Sequence, residues 1–364
     1  MALLSCSVVL AVGLAALVAV PFARFFETPL VDAAIGTHPL APSLSGKLIL
    51  ITGGTSGVGL EVAKSLASRG AEVFVTGRSV QRAQATAPPG GTGLALDLAD
   101  LSAVRSFASD LLVSLGSRSL DVLILNAGMV YGPGFRGPYR TQAGLDTLMA
   151  TNHLGHFLLV QLLRPLLERS ATRVVIVSST THWLASGPSA VPANGWPVIA
   201  ADGDTAPPVA AFVHYGSTKL QNILFAYRLN RELAVSGGSV VLCTPGMVAT
   251  SIGVEDRDSS KSLMDMVPLA KTAADGAAVL ETAVGVASSL VQDRMLTPYW
   301  LWEGVGAVLP VRARGIFHDV VQEKLMQRLT WGIRAHQTSD ETYNLSLQDA
   351  LWNWSEGVLA GRSA

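Results

Sequence analysis

Short apolar runs recur along the chain, each closed by a small or polar residue. They cover 47–52 (KLILIT), 71–76 (AEVFVT), 92–96 (TGLAL), 121–125 (DVLIL), 173–178 (RVVIVS) and 238–243 (GSVVLC). Runs this short, without alternating polar positions, predict strands buried on both faces of a parallel sheet. The intervals 60–69, 101–115, 153–167 and 217–233 carry apolar residues at helical spacing. Strands alternating with helices predict an α/β, doubly wound parallel sheet with helices on both faces. No internal repeat at solenoid periods competes with that reading.

Two regions break the alternation. The stretch 183–211 is rich in Pro, Gly and Ala and is too long for an ordinary connection. It is either part of a ligand site or lid, or an inert insertion. The segment 296–311 is apolar and aromatic, with Tyr299, Trp300 and Trp302, and is followed by Arg312 and Arg314. At roughly 14–16 residues it is too short to cross a bilayer. It reads equally as an interfacial segment or as the last core strand with its flanks.

The N-terminus departs from a soluble α/β domain. Residues 2–22 contain no charge, and roughly 21 helical residues at about 1.5 Å each reach about 31 Å, enough for a bilayer core. A membrane anchor is the favoured reading. A cleaved signal lacks its positive n-region, and a buried core helix would not precede the first strand of a complete fold. Arg24, the nearest basic residue, places the catalytic domain on the cytoplasmic side. The expected organisation is an anchor or signal over 1–27, a linker over 28–45, one catalytic domain over 46–335, and a tail over 336–364 packing on that domain.

Composition sharpens this picture in three respects. Of the 364 residues 49% are hydrophobic and 15% charged, which permits a large core. A formal net charge of −1 gives no basic footprint for nucleic acid. The two cysteines, Cys6 in the leader and Cys243 at a strand end, exclude a disulfide framework and a Cys-ligated zinc site.

The first strand runs into a glycine-rich turn, Thr52-Gly53-Gly54-Thr55-Ser56-Gly57-Val58-Gly59, before a helical pattern. Such a turn lets backbone approach a pyrophosphate, and the helix N-terminus offers free N–H groups and a favourable dipole. The second strand ends at Gly77-Arg78 with no acidic residue to bind ribose hydroxyls. Arg78 either neutralises a 2′-phosphate, which favours NADP over NAD, or is a solvated surface residue. Asp97, beside Leu98 after the third strand, either accepts from the adenine amine or caps the helix that follows.

In H-Y-G-S-T-K, Tyr215 and Lys219 lie one helical turn apart on one face. An ordinary Tyr pKa is near 10. A neighbouring ammonium and the positive charge of an oxidised nicotinamide are expected to lower it, which suits proton transfer to a carbonyl oxygen. His153, His156 and His182 lack carboxylate or Cys partners at ligand spacing, so no metal site is expected.

The ordered set of motifs resembles the short-chain dehydrogenase/reductase family over 46 to about 290. It comprises Thr52–Gly59, Asp97, Asn126-Ala127-Gly128, Asn152, Ser178-Ser179, Tyr215, Lys219, and Pro245-Gly246 with Val248 and Thr250. The resemblance implies a Rossmann-type fold in a single catalytic domain. It implies Tyr215 as general acid/base, Ser179 as the group orienting the substrate oxygen, Lys219 on the nicotinamide ribose, and Asn152 behind Lys219. It places Asn126, Ala127 and Gly128 behind the cofactor, and Pro245, Gly246, Val248 and Thr250 along the nicotinamide. N-H-L-G-H-F-L-L, V-S-S and K-L-Q-N-I-L-F, with the tail Y-N-L-S-L-Q-D-A-L-W, resemble the retinol-dehydrogenase-like branch and its X-linked dehydrogenase/reductase member. That implies a lipophilic alcohol or carbonyl of retinoid, sterol or polyprenoid type, and an enzyme of lipid metabolism in the endoplasmic reticulum membrane.

The competing reading is a membrane-anchored scaffold that retains the fold without turnover. A third is a reductase of soluble substrates whose anchor only sets its address. The complete Asn–Ser–Tyr–Lys set favours an enzyme. Two sequons, at Asn344 and Asn353, would report a luminal domain if glycosylated. The cytoplasmic reading expects both unmodified.

Overall fold

The computed structural model describes residues 34–35, 43–132, 135, 137–191, 208–246, 248, 272–285, 295–298, 333–336 and 338–361. The leader 2–22, Arg24, Thr250 and 299–311 lie outside the described residues. Among the described residues, no helix is long and apolar enough to cross a membrane.

The described strands are β1 (Ala34–Ile35), β2 (Leu48–Ile51), β3 (Glu72–Gly77), β4 (Thr92–Ala95), β5 (Val122–Leu125), β6 (Arg173–Val177), β7 (Ser239–Cys243), β8 (Met295–Pro298) and β9 (Ile333–His336). They form one sheet in the order β1-β9-β8-β7-β6-β5-β2-β3-β4. From β4 to β8 every pairing is parallel. β9 and then β1 extend the edge antiparallel. The six apolar runs fall on β2 to β7. β8 places the start of the 296–311 region in the sheet, and β1 lies inside the expected linker.

The helices are α1 (Gly57–Ser68), α2 (Val80–Thr86), α3 (Leu101–Leu115), α4 (Gly155–Arg169), α5 (Pro208–Ala234), α6 (Ala273–Gly285) and α7 (Leu345–Leu359). Alternation along the strands divides two cores. Leu48, Leu50, Leu123, Leu125, Val174 and Ile176 face α3, α4 and α5. Ile49, Ile51, Val122, Ile124, Val175 and Val177 face α1 and α6. Each such fully buried aliphatic side chain contributes roughly 1.5–3 kcal/mol, so both faces of the sheet are anchored.

Three sequence expectations are corrected. The cap of α3 is Asp100, whose side chain accepts from Ser102 and Ala103 N–H, so Asp97 is not that cap. α5 begins at Pro208, inside the stretch read as a loop. Proline is well suited to a first helical turn because its missing N–H would have no helical partner there. The helix expected from 153 starts with a π-helical turn, Ala150–Leu154, ahead of α4.

The tail folds back on the domain. Trp352 of α7 meets Phe157 edge-on at 5.0 Å. Ser355 Oγ lies 2.9 Å from His153 Nε2, and Thr338 Oγ1 lies 2.8 Å from the Tyr227 hydroxyl.

Candidate active site

β2 lies between β3 and β5, where the strand order reverses. In an open parallel sheet this switch point is where ligands bind, beyond the carboxyl ends of the strands. The glycine turn follows β2 there. Gly53 has φ +68°, and a Cβ on Gly59 would lie 2.5 Å from both the Asn126 Nδ2 and the Gly53 carbonyl oxygen. Only hydrogen fits at Gly59, so α1 starts directly against the turn.

Asn126 staples this turn from β5, its Nδ2 donating to the carbonyls of Thr52 at 2.9 Å and Gly53 at 3.2 Å. Thr52 Oγ1 accepts from the backbone N–H of Asn126 and Ala127 at 3.0 and 3.1 Å, and lies 2.9 Å from His156 Nε2. Thr52 is completely buried. Its side chain is thus committed to the scaffold behind the turn. At the N-terminus of α1, Ser56 makes no side-chain capping bond, which leaves the helix N–H groups available to an anion. The narrow glycine turn and the uncapped helix end fit a dinucleotide pyrophosphate.

Val58 and Val248 are buried. Both, with Pro245, converge on Gly276 of α6, where a Cβ would meet them at 2.8–3.2 Å. They can face a cofactor through backbone but not through these side-chain surfaces. Gly246 has φ +78°. Asp97 Oδ1 accepts from Ala99 N–H at 3.0 Å, while Leu98 is buried, its carbonyl pressed against Gly155. Thr55 packs against Gly77. Arg78 is exposed at the end of β3. Arg82 of α2, which the sequence reading missed, donates through Nη2 to the Thr55 carbonyl at 3.5 Å. A second arginine four residues after Arg78, in the first turn of α2, was the available signal.

The reacting end is built from three elements. Ser178 and Ser179 follow β6, and their roles separate. Ser178 is buried and donates to the Lys219 carbonyl at 2.8 Å. Ser179 opens the 3-10 turn Thr180–Leu184, and its side chain acts on the Tyr215 phenol, lowering its pKa. Lys219 Nζ lies 5.3 Å from the Tyr215 ring centroid and donates to the Val177 carbonyl at 3.2 Å. A Cβ on Gly128 would sit 3.5 Å from that Nζ.

Asn152 occupies the π-turn, a local widening that often marks functional positions. Its Oδ1 accepts from Met129 N–H at 2.8 Å, and its Nδ2 donates to the Met129 carbonyl and to Thr218 Oγ1, each at 3.0 Å. Thr218 was not anticipated. It links Asn152 to the helix turn between Tyr215 and Lys219.

The protein's own groups act on Tyr215 in the direction opposite to the lowering expected from the ammonium and an oxidised nicotinamide together. Burial raises the Tyr215 pKa above its ordinary value, and Ser179 opposes this without reversing it. Burial also pushes Lys219 down to about 8, with Cys243 slightly opposing. The protein's own groups therefore keep the phenol protonated, because desolvation outweighs the opposing effect of Ser179. A protonated phenol next to a largely charged lysine is equipped to donate a proton.

The three histidines go to separate partners. His153 pairs with Ser355, His156 with Thr52, and His182 with Ser179 and Ser339. Among the described residues no group of three or more His, Cys, Asp or Glu could hold a metal ion.

Fold and site together define a dinucleotide-dependent oxidoreductase. Residues 47–189 match the family model described as short chain dehydrogenase. Human retinol dehydrogenase 11 is 32% identical over 65% of this chain and 72% of its own length. Human retinol dehydrogenase 14 is 33% identical over 68% of this chain and 75% of its own. A solved structure of an uncharacterized protein from Mycobacterium paratuberculosis aligns with TM-score 0.59 and 26% identity, covering 89% of this chain and 97% of that one. The chain belongs to the short-chain dehydrogenase/reductase family, in its retinol-dehydrogenase-like branch, and is an NAD(P)-dependent oxidoreductase.

Proposed function

We propose that the protein interconverts a lipophilic alcohol and its carbonyl, retinoid-like first and sterol- or polyprenoid-like next, with NADP(H). The observation that carries this reading is Lys219 Nζ 5.3 Å from the Tyr215 ring centroid, with Asn152 hydrogen-bonded to Thr218 between them on the helix at 3.0 Å and Ser179 acting on the same phenol. The names of the relatives supply the substrate class.

When bound, the nicotinamide supplies or accepts hydride at the carbinol carbon. Ser179 holds the substrate oxygen. In reduction, Tyr215 O–H gives its proton to that oxygen as the carbon gains hydride, and the charge of Lys219 stabilises the phenolate left behind. In oxidation the same groups act in reverse. Arg78 and Arg82 bind the 2′-phosphate, the backbone of Gly53 to Gly59 cradles the pyrophosphate, and Asp97 faces the adenine. Pro245, Gly246 and Val248 would lie along the nicotinamide, as the family resemblance implies; Thr250, assigned with them, is outside the described residues.

The uncharged 2–22 leader supports membrane anchorage, with the catalytic domain facing the cytoplasm from the endoplasmic reticulum. A domain boundary near 46 and a tail docked through α7 complete the reading. The test is turnover of detergent-solubilised full-length protein on retinaldehyde, sterol ketones and polyprenals with NADPH or NADH. Tyr215→Phe should lower the rate by about 10²–10⁴-fold while NADPH binding persists. Equal turnover by the Phe variant would reject this chemistry.

A further inference from the structure

One buried polar cluster has no part in the proton transfer just described. Asp146 and His214 are 2% and 5% exposed, and His214 Nε2 lies 3.1 Å from Asp146 Oδ1. The same Oδ1 accepts from Met149 N–H at 2.8 Å. The Tyr131 hydroxyl, also buried, lies 3.2 Å from Asp146 Oδ2 and accepts from Leu148 N–H at 3.0 Å. The Tyr131 and His214 rings stack at 6.1 Å with 15° between planes.

A buried carboxylate is costly unless its lone pairs are satisfied. Here they are, and the partners belong to two parts of the site. Asp146 caps the turn Thr147–Met149, which runs directly into the π-turn carrying Asn152. His214 immediately precedes Tyr215 on α5. Tyr131, Phe135, Tyr139, Leu148 and Ala211 form an aromatic cluster, and the Tyr215 ring packs against it. Adjacent residues on a helix are about 100° apart around its axis, so fixing the His214 side chain fixes the roll of α5 at Tyr215.

We propose that the Asp146–His214 pair is a strut that sets Tyr215 relative to Asn152 and Ser179. His214 is a positioning residue for the proton donor and does not itself exchange protons with substrate. This rests on the reading of Tyr215 as the acid. A displacement of about 1 Å at a reacting group can cost about 10²-fold, so a strut of this kind is visible in kcat.

His214→Ala should lower kcat by roughly ten- to hundredfold, with the NADPH Kd and the carbonyl KM nearly unchanged. His214→Gln keeps an N–H that can reach Asp146 and should recover most of the rate. His214→Ala combined with Asp146→Ala should be no worse than the poorer single variant, since both break one link. Wild-type kcat in His214→Ala would overturn the strut. So would an equal loss in NADPH affinity, or a Gln variant no better than Ala. If Asp146→Ala fails to fold, the two His214 variants still decide. A wild-type protein inert on every lipid carbonyl would reject the substrate reading alone. The strut is then judged by the NMR signal of the labelled Tyr215 ring carbon, assigned with Tyr215→Phe. It should move in His214→Ala and return in His214→Gln, and an unmoved signal rejects the strut.

Discussion

Gly216, the residue after Tyr215, lies so close to Thr181 that a Cβ there would sit 2.5 Å from the Thr181 carbonyl oxygen. Thr181 is two residues beyond Ser179, in the turn that Ser179 opens. The close approach locks the helix carrying Tyr215, the proposed proton donor, to the turn opened by Ser179, the proposed substrate-orienting group.

Gly216→Ala should therefore separate the two groups. Overpacking typically costs about 1–3 kcal/mol, and the expected signature is that loss in unfolding experiments together with at least about a tenfold fall in kcat. Gly357→Ala in α7 is the matched control, since nothing lies within 4 Å of a Cβ there. It should be neutral or stabilising by up to about 1 kcal/mol. Wild-type kcat in Gly216→Ala would show that Ser179 and Tyr215 are aligned by other contacts.

Lys219 gives the reaction a pH limit. Burial pushes its pKa from 10.5 to about 8, so the ammonium is present below that value and lost above it. Tyr215, raised by burial, stays protonated through the same range. Carbonyl reduction measured at saturating cofactor should hold level below about pH 8 and decline above it. A plateau continuing past the ordinary lysine range would mean that the charge of Lys219 is not needed.

The alternation of buried strands and helices was legible because a strand covered on both faces needs no polar positions, and its sequence shows this as an unbroken apolar run. Tyr215, Lys219, Ser179 and Asn152 were legible as types at ordered positions, and the structure brings them together. The π-turn at Asn152 was not, because five residues are too few to reveal a changed helical period. The edge strands β9 and β1 were missed because β1 has only two residues and β9, Ile-Arg-Ala-His, is not an unbroken apolar run. The link from His182 to Ser339 spans 157 residues of sequence. It joins the segment after Ser179 to the tail, and only folding reveals it. The start of α5 at Pro208 was hidden inside the Pro/Gly/Ala-rich composition of 183–211, although proline is favoured at a helix entrance.

Three buried histidines make the fold acid-sensitive. Burial lowers the pKa of His153 and His156 from 6.5 to about 3, and that of His182 to about 4. Between these values and 6.5 the unfolded chain binds more protons than the folded one. Stability should thus be complete above about pH 6.5 and fall as the pH drops toward 3 to 4. Each histidine contributes a slope of up to about 1.4 kcal/mol per pH unit in that window. Urea unfolding of wild type and His156→Gln at a series of pH values checks this. Glutamine can still meet Thr52 but does not titrate, so the variant should show the shallower dependence. An unchanged slope would contradict the assignment of His156 as a neutral buried group.

Cofactor choice can be tested without adding bulk to the turn. A Cβ on Gly77 would lie 2.6 Å from Thr55 Cγ2, so an acidic residue introduced there would disturb the pyrophosphate cradle along with the specificity. Arg78 and Arg82 are cleaner levers. Arg78 is exposed at the strand end, and Arg82 reaches back to the Thr55 carbonyl from the first helical turns of α2. If both hold a 2′-phosphate, each forms hydrogen bonds to a charged group, typically about 1.5–3 kcal/mol apiece. Arg78→Ala and Arg82→Ala should each lower kcat/KM for NADPH by about ten- to hundredfold, the equivalent of that energy. The values for NADH should change little, because NADH lacks that phosphate. A shift confined to Arg82→Ala would place the phosphate over α2 and leave Arg78 as a solvated residue. An unchanged ratio of the two efficiencies in both variants would reject the NADP assignment while leaving the Tyr215 chemistry intact.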